Sequence, residues 1–151
     1  MTDRVIVATF NNSNSAYDAA SAIKALKDTG AVDFKLKTGV MVQKDDRGNL
    51  QLLEEKGRKL WGTGVGTLSG AIIGLIGGAP GAAIGAALGA TAGMTGDAVM
   101  GSLDSDFVNS VTNEMRPGMT ALIVEADEKS TEPVDNIVTL KGGHVYRQSV
   151  Q

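Results

Sequence analysis

His144 is the one histidine in this chain, and there is no cysteine. Histidine is the usual acid–base group near neutral pH, and a thiolate is the usual soft metal ligand and nucleophile. The lone imidazole in GGHVYRQ has no second histidine with which to complete a metal site. Its setting after two glycines predicts a turn or strand edge. The paired acids Asp45-Asp46, Glu54-Glu55 and Asp104/Asp106 supply the carboxylates that glycoside hydrolysis or a hard cation requires. Their neighbours instead predict a turn, a solvated strand and a helix cap. One motif invites a phosphate-binding interpretation: WGTGVGTLSG, residues 61–70, is glycine-rich like a nucleotide loop. It lacks the Lys-Ser/Thr ending of a P-loop, and its glycines continue with a period of four, where a phosphate loop stops once its helix starts. No catalytic, metal-ligating or cofactor-binding residue is assigned, no cofactor is expected, and the chain is expected not to be an enzyme.

The 151 residues suffice for one core, and the formal net charge is −3. Basic residues are scattered, with Lys56, Arg58 and Lys59 the only cluster, which argues against a nucleic-acid partner. The start, MTDRVIVATF, lacks the basic, apolar and small-residue order of a signal peptide. The expected location is the cytoplasm or the cytoplasmic face of the inner membrane, without secretion. Absence of cysteine fits a reducing compartment. Of the 20 glycines, thirteen fall between Gly62 and Gly101. That concentration divides the chain into a first part, 1–59, a central tract, 60–101, and a last part, 102–151.

The two flanks carry the patterns of an α+β domain. Arg4–Phe10 is rich in β-branched residues and ends at two asparagines, as a strand does. Ser15–Asp28 predicts a helix, with Ser15 as its cap and Asp18 near the positive end of its dipole. Ala16, Ala19, Ala20, Ile23 and Leu26 form its buried stripe, and Gly30 is its stop. Phe34–Glu55 predicts a β-hairpin turning at DDRGN, with Gly39 marking a bulge or a close backbone contact. Asp104–Met115 predicts a helix that buries Phe107, Val108 and Val111 and ends before Pro117-Gly118. Met119–Ala126 is the clearest strand. Pro133–Lys141 predicts a short helix and His144–Val150 a last strand. The order without the tract is β-α-β-β-α-β with a short α-β extension, the order of a ferredoxin-like α/β sandwich with helices on one face of the sheet. The other face then needs cover, which a second copy can provide.

The tract has no charge from Leu60 to Gly96. Gly62, Gly66, Gly70, Gly74 and Gly78 recur every fourth residue, as do Gly81, Gly85, Gly89 and Gly93 after the break at GGAPG. That spacing lines the glycines along one face of each of two helices, a groove for close helix packing. Nine glycines cost such helices about 1 kcal/mol each relative to alanine, so close packing or an apolar environment must compensate. Pro80 suits the start of the second arm. Each arm is about 27–30 Å long at 1.5 Å per residue, close to the thickness of bilayer hydrocarbon. Lys56, Arg58 and Lys59 before the first arm fit a cytoplasmic flank, and Trp61 suits an interfacial anchor or packing against the α/β domain. The small residues of the second arm make insertion marginal by hydropathy, so lipid and other subunits both remain as cover for the apolar faces.

The whole order of parts, from VIVATF through VMVQKDDRGNLQL and the G-xxx-G insert to RPGMTALIVEAD, resembles a bacterial family, domain-of-unknown-function family 1269. The likeness runs almost end to end and carries no catalytic motif. It implies a bacterial, intracellular setting and a link to the membrane or to stress. The expectation is a non-enzymatic protein that partners itself through the G-xxx-G hairpin, in or on the membrane and in contact with its lipid. The alternative is a soluble oligomeric scaffold or binding module whose packed hairpins form an apolar core or chamber.

Overall fold

In the computed structural model, which describes residues 2–28, 34–47, 50–53 and 104–149, the apolar runs of both flanks join in one sheet. The elements are β1 (Thr2–Phe10), α1 (Ser13–Asp28), β2 (Phe34–Lys44), β3 (Leu50–Leu53), α2 (Ser105–Glu114), β4 (Thr120–Glu128), α3 (Glu132–Leu140) and β5 (His144–Ser149). The architecture is mixed α+β, and each element expected from the flanks is present within a few residues of its predicted bounds. The tract 60–101, with its nine periodic glycines and Trp61, lies outside the described residues. So do Lys56, Arg58, Lys59, Glu54, Glu55 and Gly30.

Local chemistry sets the helix ends. The cap of α1 is Asn12, whose Oδ1 accepts from the Ser15 N–H at 2.8 Å. Ser15 is therefore inside the first turn rather than at its cap, because the helix starts at Ser13, directly after Asn12. Asp18 is consequently beyond the first turn. Asp104 caps α2 as its sequence predicts, accepting from the Asp106 N–H at 3.0 Å. Its removal, Asp104→Ala, is expected to lower stability by about 1 kcal/mol. Urea unfolding followed by circular dichroism checks this; an unchanged midpoint rules out an energetic role for the cap.

At the other end of α2, Lys44 Nζ donates to the Met115 carbonyl at 3.1 Å, a cation on the negative end of the helix dipole. Arg116-Pro117-Gly118-Met119 then closes a turn, with Met119 N–H donating to the Arg116 carbonyl at 3.0 Å and Gly118 at φ 89°. Proline followed by a glycine of positive φ is the chemistry of a type II turn. The α3 helix stops in a Schellman motif. Gly143 N–H donates to the Val138 carbonyl at 2.9 Å and Gly142 N–H to Thr139 at 3.0 Å, with Gly142 at φ 76°.

The strand order is β3-β2-β4-β1-β5, with every neighbouring pair antiparallel. Hence β1 and β2 run parallel with β4 between them, and β4 and β5 run parallel with β1 between them. Helix α1 joins the first parallel pair and α3 the second. The α3–β5 segment, expected as a short extension, places β5 in the main sheet beside β1. Strand β3 is a hairpin partner on the outer side of β2.

The helices also occupy both faces of the sheet, not one. On one face Ile6, Ala8, Phe10, Leu122, Val124 and Ala126 pack with Ala16, Ala19, Ala20 and Ile23 of α1 and Val134 and Val138 of α3. On the other, Val5, Val7, Ala121 and Ile123 pack with Phe107, Val111 and Met115, from α2 and its end. Helix α2 thus covers the apolar rows where a second copy was expected. Beyond those rows the same face carries Lys35, Glu125 and Asp127, with Lys37 Nζ 3.8 Å from an Asp127 carboxylate oxygen. Among the described residues no helix packs on that end of this face of the sheet.

Strand β2 feeds both cores. Phe34 and Leu36 belong to the α1 face, and strict alternation would put Val40 and Val42 there too. A register shift between Leu36 and Thr38 reverses the phase, so Met41 continues the α1 face and Val40 and Val42 turn to α2. The bulge expected at Gly39 occurs two residues earlier. Thr9 and Thr120 are both fully buried, and neither hydroxyl has a hydrogen-bond partner. They lie on opposite faces of the sheet and do not form a common site.

Candidate functional site

The structure disperses the acid–base candidates. His144 is exposed at the start of β5, opposite Thr9. Asp45 accepts from the Arg47 N–H at 2.9 Å in the turn after β2. Asp104 and Asp106 sit in the first turn of α2. Glu54-Glu55 and the WGTGVGTLSG motif lie outside the described residues. Among the described residues no group of three or more His, Asp or Glu side chains is placed to hold a metal ion.

One charged constellation does form, and sequence reasoning missed it. Glu128, the last residue of β4, has a side chain with no solvent exposure. Its Oε2 accepts from Arg4 Nη1 of β1 at 3.1 Å and from Arg147 Nε of β5 at 2.9 Å. Its Oε1 accepts from Arg147 Nη2 at 3.1 Å. Arg147 therefore grips both carboxylate oxygens, the bidentate geometry that a planar guanidinium allows. The same guanidinium donates through Nη1 to Asp135 of α3, and through Nη2 to the carbonyl of Thr131, the α3 cap, at 3.2 Å.

The strands explain why these residues meet. Glu128 continues the buried phase of Leu122, Val124 and Ala126, so alternation forces its carboxylate onto the α1/α3 face. Arg4 shares the phase of Ile6 and Ala8, and Arg147 lies opposite Ile6. A readable signal was present: an acid at a core position of the strongest strand needs a buried cation. Which cation it finds depends on strand order, since Arg4 lies 124 residues away in sequence and Arg147 lies 19 away.

Burial pulls the Arg147 pKa down, but hydrogen bonds to Glu128 and Asp135 and their charges outweigh it and hold the guanidinium above its ordinary value. The charges within the cluster balance, two arginines against two acids. The carboxylate has both oxygens occupied, and four nitrogen–acceptor contacts engage Arg147. The cluster's charged groups are satisfied by one another. Its chemistry is cohesive: it ties β1, β4, β5 and the start of α3 together.

The last described residue before the central tract, Leu53, packs on the α1/α3 face. Ala8, Leu122, Met41 and Leu53 lie in one cross-strand row. The chain returns at Asp104, whose N–H donates to Gln148 Oε1 at 2.6 Å. Gln148 lies opposite Val5. The described residues that flank the tract, Leu53 and Asp104, therefore lie at opposite edges of one sheet, the first beside β2 and the second beside β5. Four inter-strand steps separate β3 from β5, about 19 Å.

Helix α2, which follows the return, is held against β5 by Tyr146. Burial, then the charge of Glu114 and a hydrogen bond to it, raise the Tyr146 pKa above the ordinary phenol value. As pH climbs past about 10, the unfolded chain ionises first while the folded phenol keeps its proton. The stability from this contact is whole below that pH and declines as pH rises through the folded pKa. Tyrosinate absorbance should show Tyr146 titrating late. In Glu114→Gln that late step should move down, yet stay above the ordinary value because burial remains. An unmoved step would separate the phenol from Glu114.

Among the described residues no helix is long and apolar enough to cross a membrane. No curated protein and no solved structure shows significant similarity to the chain. A family model described as "Protein of unknown function (DUF1269)" matches residues 60–151, which include the glycine-periodic tract, α2, β4, α3 and β5. That match takes in more than half of the chain, including the buried acid Glu128, its partner Arg147 and the return junction at Asp104. The chain belongs to the DUF1269 family.

Proposed function

We propose that this protein is a non-enzymatic, self-associating module whose glycine-periodic tract, residues 60–101, is a helical hairpin that drives homo-oligomerisation in or on the cytoplasmic membrane. The hairpin is carried by a ferredoxin-like frame of two interlocked units, β1-α1-β2 and β4-α3-β5. The strand order and the position of α3 and β5 support that frame. The observation that carries the functional reading is the four-residue glycine period in the tract, on both sides of GGAPG. Leu53 before the tract and Asp104 after it belong to one sheet, so the segment between them starts and ends at the same domain. A single bilayer-spanning helix would leave its ends about 30 Å apart on opposite sides of a membrane. Two arms of equal length return the chain to its starting level. Packed helices lie about 8–10 Å apart, and the residues flanking the arms are enough to cover the rest of the span between the junctions.

Glycine at every fourth position allows each arm to approach a neighbour closely, and the uncharged opposite faces need apolar cover. Subunits or lipid supply that cover. Gly74→Leu and Gly85→Leu are each expected to break the oligomer while leaving the circular dichroism of the frame intact. Native mass spectrometry of the two variants checks this, and an unchanged subunit count in both would sink the zipper interface. Cell fractionation with an alkaline carbonate wash decides the environment. Retention in the washed membrane pellet supports the hairpin in lipid. Complete recovery in the soluble fraction without detergent overturns the membrane reading and leaves a soluble oligomer with hairpins packed inside it.

A further inference from the structure

We draw no further inference here: the strongest candidate, the outer edge of strand β5 between Gly143 and Ser149, carries nothing because nothing in the structure shows what pairs with it.

Discussion

Replacing Arg147 by methionine is expected to destabilise the protein by about 3–5 kcal/mol, the usual cost of stranding one partner of a buried ion pair. The side chain of Glu128 is fully enclosed, and Arg147 supplies two of the three hydrogen bonds that reach its carboxylate. Without them only Arg4 remains, at a single oxygen. Asp135 and the Thr131 carbonyl lose a donor as well, but Asp135 is 42% exposed and regains water. The loss therefore concentrates on Glu128.

Two companions make the result diagnostic. Arg4→Met should cost less, about 1–2 kcal/mol, since Arg147 still satisfies both oxygens and only one charged hydrogen bond is lost. Combining Arg147→Met with Glu128→Leu should recover much of the stability, because an apolar pair replaces a charge with no partner. Urea denaturation of the full chain, read by far-ultraviolet circular dichroism, measures all three. Equal losses for Arg4 and Arg147, or no recovery in the double variant, would contradict the bidentate account. With typical domain stabilities of about 5–15 kcal/mol, the single Arg147 change is enough to leave a marginal protein partly unfolded at 37 °C.

The second large effect concerns Gly143, at the join between α3 and β5. A Cβ there would lie 2.6 Å and 2.8 Å from two carbons of the Phe10 ring and 2.8 Å from the Thr9 carbonyl oxygen. Phe10 is 1% exposed, so its ring has no room to retreat. The Thr9 carbonyl belongs to the backbone of β1, where Thr9 pairs with His144. Gly143→Ala is therefore expected to cost about 1–3 kcal/mol, toward the upper end, through overpacking.

Its neighbour supplies the contrast. Gly142 has φ 76° and open space around a built Cβ, so Gly142→Ala should cost about 1–2 kcal/mol from backbone conformation alone. Asparagine, which tolerates that conformation, should recover part of the loss at position 142. A double-mutant cycle separates the mechanisms. Phe10→Leu should couple to Gly143→Ala, because it removes one of the clashing groups, and should add independently to Gly142→Ala. Absence of coupling at position 143 would show that the ring is not what excludes a side chain.

Both predictions rest on residues that the sequence pattern alone does not single out. GG before a strand reads as a turn, and a turn accounts for Gly142. Nothing local indicates that Gly143 passes against the ring of Phe10, more than 130 residues earlier. The contact exists because β5 pairs with β1 and not with its sequence neighbour β4. The same placement brings Arg147 to Glu128. It also puts β5 in the main sheet beside β1, whereas counting elements along the chain makes α3 and β5 a short extension.

Helix α2 is the clearest case of a legible element in an unforeseen place. Its Asp104 cap, the Phe107 and Val111 stripe and the Pro117-Gly118 stop are all local signals, and the helix forms where they indicate. An apolar stripe does not specify which sheet face it will meet, however. Val5, Val7, Ala121 and Ile123 were available on the face away from α1, and α2 buries itself there. Cover by a second copy is then unnecessary for those rows. Likewise, Asn12 and Ser15 are both able to cap α1, and the start of the helix at Ser13 makes Asn12 the cap.

Strand β2 shows how a local pattern can mislead. Phe34, Leu36, Val40 and Val42 share one phase and suggest one apolar face. The shift between Leu36 and Thr38 splits them between two cores, because the paired strand β4 has apolar residues on both sides to be covered.

Element types and most of their boundaries followed from periodicity and turn chemistry, since hydrogen bonds and side-chain spacing within a few residues decide them. The period of four in the central glycines is equally local, and with it the close-packing face on which the proposed self-association rests. Strand order, the two-sided sheet and the enclosed Arg4–Glu128–Arg147 cluster depended on pairings between distant segments. Many strand orders satisfy the same local preferences, and burial of both sheet faces together with neutralisation of Glu128 selects among them.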